Sequence, residues 1–136
     1  MESRKGFTLA ELIVVIIIVS ILATVVIAVT KGRIDSAKWT EGRSMAGSIA
    51  TAIRAYAAEK NSTGNYGDGA PTLAQMNSVA SDLTGTYFTA SEYSWTTAFD
   101  ADADPSLTFT ITVDAPDGIS FPEQVTLDEA GTWTES

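Results

Sequence analysis

The sequence predicts an α+β fold. One long N-terminal helix, membrane-spanning in its first half and amphipathic in its second, packs on a small antiparallel β-meander. Three observations predict it. Residues 12–29 carry no charge. Met45, Ile49, Ala52, Ile53 and Tyr56 recur at i, i+4, i+7, i+8 and i+11. The apolar period then shortens to two in the last third of the chain.

With 136 residues, the chain suffices for one small domain beyond such a helix. It has no Cys and no His. Disulfides, thiolate nucleophiles and Cys-ligated metals are therefore excluded, along with the commonest general base and zinc ligand. Charge is segregated. All eight basic residues lie at or before Lys60, and twelve Asp or Glu follow it. A C-terminal part of this sign repels a phosphate backbone, so no nucleic-acid partner is expected. It reads as a solvated, soluble surface, with a cation-binding surface as the sharper alternative.

Between Gly6 and Val29 the chain reads GFTLAELIVVIIIVSILATVVIAV, with Glu11 as its one charged residue. Extended from Phe7 to Thr30, the run makes about 36 Å of helix at 1.5 Å per residue, against a hydrocarbon core of about 30 Å. A buried strand would stop after 4–8 residues or so. Ser20 and Thr24 can each bond back to a carbonyl one turn earlier. A secretory signal peptide fits poorly, because the apolar segment is long and Ala23 and Ala28 are not spaced for cleavage. A plain signal anchor remains open. Glu11 has a local explanation as well: Thr8-Leu9-Ala10-Glu11 matches the S/T-x-x-E capping box, with the carboxylate at the positive end of the helix dipole.

Arg4 and Lys5, followed by Gly6, Phe7, Thr8, Leu9, Ala10 and Glu11 and then a long apolar run, resemble the class III leader of type IV pilins and pseudopilins. The resemblance is close over residues 1–30 and looser to about residue 60. It implies cleavage by a prepilin peptidase between Gly6 and Phe7 and N-methylation of the new Phe7 amine. It also implies an inner-membrane precursor with its globular domain outside, and recruitment by an inner-membrane assembly platform into a helical homo-oligomeric filament, extracellular or a periplasmic pseudopilus. Membrane lipid would surround the helix before assembly. Losing Glu2, Arg4 and Lys5 changes the formal charge from −9 to −10. Among apolar helices Glu11 needs a positive partner or a proton. The family suggests the Phe7 amine of a neighbouring subunit, a pair that would set axial register. Many pilins carry Pro in the second half of the span, where this chain has Ala28. The missing Pro argues against a melted segment there, although Thr24, Thr30 and Gly32 lower helix propensity nearby and could still allow one.

On this reading residues 1–6 are a leader, 7–30 the membrane-spanning and filament-core helix, 31–60 an amphipathic helix, and 61–136 an acidic region with the sheet. Gly32, Gly42 and Gly47 weaken the helix and could permit close helix approach in a bundle. Asn61 to Gly69 reads as a turn-rich loop, and Asn61-Ser62-Thr63 is a glycosylation sequon of low specificity. Thr72-Leu73-Ala74-Gln75 is a second capping-box pattern. With Met76, Val79, Ala80 and Leu83 it predicts a helix over 72–83. Strands are predicted at Tyr93–Phe99 and Leu107–Val113, over Ile119–Leu127 with a break at Pro122, and at Gly131–Thr134, with a turn at Asp117-Gly118.

Asp100, Asp102 and Asp104 alternate as in a calcium loop, but Pro105 and Ile111 occupy the positions where an EF-hand needs Gly and Glu. A solvated loop is the default there, and a looser calcium site the alternative. No nucleophile elbow, phosphate loop or positioned acid–base pair is visible, so the chain is read as a non-enzymatic structural subunit. A membrane-anchored binding module or enzyme, and a tip-located minor pilin, are the rival classes. Between pilus and pseudopilus the residues lean toward the pilus, on the absence of a secretion-specific motif.

Overall fold

The computed structural model describes residues 6–63, 69–100 and 106–136. The chain forms two compact units, Met1–Ile34 and Asp35–Ser136. Helix α1 runs from Leu9 to Thr63 without interruption, including the backbone at Ala28. In the first unit the back-bonds expected of Ser20 and Thr24 form, and Thr30 adds a third. Ser20 Oγ donates to the Ile16 carbonyl at 2.6 Å, and Thr24 Oγ1 and Thr30 Oγ1 donate to Ser20 and Val26 carbonyls, both at 2.8 Å. These hydroxyls are thereby satisfied without water.

In the second unit, the α1 face carrying Trp39, Ala46, Ile49, Ala50, Ile53 and Ala57 is buried. It packs with an antiparallel sheet of four strands in the order β1-β2-β3-β4: Tyr93–Phe99, Leu107–Asp114, Gln124–Asp128 and Trp133–Glu135. Register explains which side chains face inward. Trp95, Ile111, Leu127 and Trp133 lie in one row across the four strands, and Ser94, Thr112, Thr126 and Thr134 form the neighbouring row on the other face. Phe109, Ile111, Val113, Val125 and Leu127 close the core against α1.

Four expectations change. The loop expected from Asn61 starts later, since α1 continues through Thr63. Residues 72–83 do not form one helix. The Thr72–Gln75 capping box is made, with Thr72 N–H donating to Gln75 Oε1 at 2.8 Å, but it supports a single turn. Asn77 then takes a left-handed φ of 55°, and only the short 3-10 turn Ala80–Leu83 follows, with Val79 exposed. Ile119–Phe121 is not strand: β3 begins at Gln124, and the preceding loop is held by side chains of α1 instead. Gly42 faces the Phe88 ring of its own chain, which takes the space a neighbouring helix would need.

Cations of α1 reach over the acidic remainder of the second unit. Arg43 pairs with Glu135 and lies over the Trp133 ring, and Arg54 donates to the Glu129 carbonyl at 3.2 Å and lies over Phe109. Lys38 donates to the Gly118 carbonyl at 3.4 Å.

Candidate functional site

The Gly6–Glu11 segment lies wholly in the first unit. Helix α1 begins at Leu9, and Thr8 caps it. The Thr8 N–H and Oγ1–H donate to Glu11 Oε2 at 2.9 and 2.8 Å, and the Glu11 N–H donates back to Thr8 Oγ1 at 3.3 Å. This is the reciprocal capping box read from the sequence. Phe7, 82% exposed, immediately precedes the cap. A Cβ placed on Gly6 would meet nothing within 4 Å among the described residues, so their packing does not require glycine there.

Beyond the cap, fifteen large aliphatic side chains from Leu9 to Val29 are exposed in the isolated chain. Full burial of such a side chain is worth about 1.5–3 kcal/mol. Even at about 1 kcal/mol each, this surface matches the whole net stability of a small domain, about 5–15 kcal/mol. It needs an apolar surround, and α1 is long and apolar enough to cross a membrane. Glu11 is then a carboxylate at the rim of that apolar zone. Its first partner is its own chain's Thr8.

Of the three calcium candidates, only Asp100 lies among the described residues. Asp100 is exposed, and its N–H donates to the Ser106 carbonyl at 2.8 Å across the base of the β1–β2 loop. Asp102 and Asp104 lie outside the described residues. Among the described residues no group of three or more metal-ligating side chains occurs.

Two carboxylates that periodicity does not mark organise the second unit. Asp35, 4% exposed, accepts the Ser120 N–H at 3.1 Å. Glu41 Oε1 accepts the N–H groups of Tyr87 and Phe88 at 2.8 and 3.0 Å. Those bonds, Phe88 first and Tyr87 next, hold the Glu41 carboxyl below the usual carboxylate range. Burial, and after it the charges of Glu41 and Glu92, push the Tyr93 hydroxyl well above the usual phenol value. The partners of Asp35 and Glu41 lie 85 and 46 residues away, so no local pattern reports them.

The family model of the prokaryotic N-terminal methylation motif matches residues 1–27. No curated protein and no solved structure matches the chain. The motif, heading a long apolar helix that continues into an α+β unit, supports a type IV pilin-like or pseudopilin protein. It points to a structural protein of that type and is consistent with a membrane-anchored precursor.

Proposed function

We propose that this chain is a structural subunit of a type IV pilus-like filament. A prepilin peptidase cuts between Gly6 and Phe7, the Phe7 amine is methylated, and the α1 helices of many copies bundle as the filament core. The observation that carries this reading is the exposed apolar surface of α1 from Leu9 to Val29, which the methylation motif at residues 1–27 largely covers, with Glu11 as its only charge. Among the described residues no packing neighbour demands glycine at position 6, which leaves it free to serve the peptidase cut.

Glu11 is the register device in this reading. Among packed apolar helices it exchanges Thr8 for the cationic Phe7 amine of an adjacent copy. The pair offsets two desolvation costs and favours one axial offset between otherwise smooth helices. The precursor sits in the inner membrane with the second unit outside, and an assembly platform there draws it into the filament.

N-terminal mass spectrometry of sheared surface material tests the proposal. A chain beginning at methylated Phe7 in sheared fibres is expected. The same processed chain confined to the cell envelope assigns it to a periplasmic pseudopilus instead. A mature chain that starts elsewhere overturns the reading.

A further inference from the structure

Two aromatic side chains of the second unit stand in solvent beside its first helical turns. Phe121 is 68% exposed and Tyr87 50%. Both belong to segments tied to those turns. The Ser120 N–H donates to the buried Asp35 carboxylate. The Lys38 ammonium reaches the Gly118 carbonyl and lies 5.3 Å from the centre of the Tyr87 ring. The β2–β3 loop and the loop before β1 are thus fastened to residues 35–41 of α1, and each turns a ring outward.

We propose that Phe121 and Tyr87 rest in the headgroup layer of the bilayer that holds this chain's own span, as a lipid-contacting edge of the second unit before assembly. The inference rests on the membrane-anchored reading of α1. Chain length selects the occupant. Asp35 follows Thr30, the end of the apolar run, by five residues. That is about 7.5 Å of helix rise, and about 18 Å even if those residues were fully extended. The polar layer on one side of a bilayer is about 5–7 Å deep. A loop hydrogen-bonded to Asp35 is therefore held within about 18 Å of the hydrocarbon edge, near enough for an outward ring to reach the polar layer. The Tyr87 segment is tied about one to two turns farther along α1, at Lys38 and Glu41.

The chemistry fits that layer. Tyrosine gains from an apolar ring and a wet hydroxyl at the interface, and phenylalanine from burying its ring there. Lys31 and Arg33 lie between Thr30 and Asp35, both exposed, with stems long enough to bring their charges to lipid phosphates. Asp117 and Glu123 flank the Phe121 loop and are exposed, so a zwitterionic surface suits this edge better than an anionic one.

The absence of cysteine permits a direct test in the full chain. Phe121→Cys, Tyr87→Cys and Ala130→Cys, the last beyond the opposite end of β3, are each labelled with an environment-sensitive fluorophore. Each is reconstituted at low density into phosphatidylcholine–phosphatidylethanolamine vesicles that carry headgroup nitroxide lipid. The chain is expected to float with the vesicles, and probes at 121 and 87 to be blue-shifted and quenched several-fold more than the probe at 130. The probe at 87 should lose most of its quenching when Phe121→Ser is added. Equal quenching at 121 and 130 in floating vesicles overturns the proposal. So does a blue shift that appears only as chain density rises, which would assign the rings to contact between copies. Failure to float overturns the span reading itself, and this inference with it.

Discussion

The Phe88 ring lies so close to Gly42 that a Cβ on that glycine would stand 2.9 Å from two ring carbons. The ring cannot easily yield. It is fully buried, with Trp39 5.2 Å away on one side and Tyr93 6.2 Å away on another, centre to centre. Gly42→Ala gains about 1 kcal/mol of helix propensity but incurs about 1–3 kcal/mol of overpacking. The expected result is a net loss of up to about 2 kcal/mol. Gly47, whose Cβ would meet nothing within 4 Å, should instead stabilise by about 0.5–1 kcal/mol on conversion to Ala. Urea unfolding of the full chain in detergent reads both, and opposite signs are the prediction.

Glu41 makes stability depend on acid. Its folded-state pKa lies below the ordinary value of 4.5 because the Phe88 and Tyr87 N–H groups favour the carboxylate. For a depressed pKa, the contribution is fully present above the unfolded value and is lost as pH falls through the folded one. The Glu92 carboxyl, held down by Thr89, acts in the same direction. Wild-type melting temperature should therefore fall as pH drops below about 4.5. Glu41→Gln, which keeps an acceptor but no titrating group, should flatten part of that fall and leave the Glu92 part. An unchanged slope in the variant would refute the assignment.

How far the residues announced this fold depends on the range of the interaction. Short-range signals were legible. The Thr8–Glu11 box, the back-bonding Ser20 and Thr24, and the Leu107–Val113 alternation all depend on neighbours within four residues or on one sheet face. The failures share a cause. Met76, Val79, Ala80 and Leu83 have helical spacing, yet only Met76 and Leu83 are buried, because Asn77 turns the chain between them. Ile119–Phe121 has strand-like composition, but Asp35 and Lys38 claim its loop from far along the chain. Gly42 reads as a weak point in a helix, and its reason is a ring 46 residues away. At the candidate site the cap was legible and is formed. Any pairing of Glu11 between copies lies outside a single chain.

The Tyr93 hydroxyl is buried without a hydrogen-bond partner among the described residues. Leaving such a group unpaired costs about 1–3 kcal/mol. Tyr93→Phe keeps the ring against Phe88 and removes the orphan, so it should be neutral or stabilise by up to about 1 kcal/mol in the same unfolding assay. A clear loss of stability would reveal a bound water serving that hydroxyl.

Arg43 holds the short last strand. It pairs with Glu135, and its guanidinium carbon lies 5.6 Å from the Trp133 ring centre. The pair is solvated and weak, worth about 0.2–1 kcal/mol, and the ring contact adds about 0.5–1 kcal/mol. Arg43→Ala should thus lower global stability by about 1 kcal/mol. It should speed amide exchange in β4 and in its partner β3 far more than in β1. Added salt should reproduce only the ion-pair share of that effect.

Glu11 offers the sharpest separation of cap from register. Glutamine serves the capping box as well as glutamate does, so Glu11→Gln should leave the start of α1, membrane insertion and cleavage before Phe7 intact. What it removes is the charge that a neighbouring amine would pair with. Losing even about 1.4 kcal/mol per contact lowers an association constant tenfold, and the loss recurs at every subunit added. The yield of sheared fibres should fall by at least about that factor. Thr8→Val makes the converse change: it removes the hydroxyl half of the cap, at about 1 kcal/mol of helix stability, and keeps the charge. Fibres should survive Thr8→Val and fail with Glu11→Gln. The reverse ranking would mean that Glu11 serves its own helix and not its neighbour.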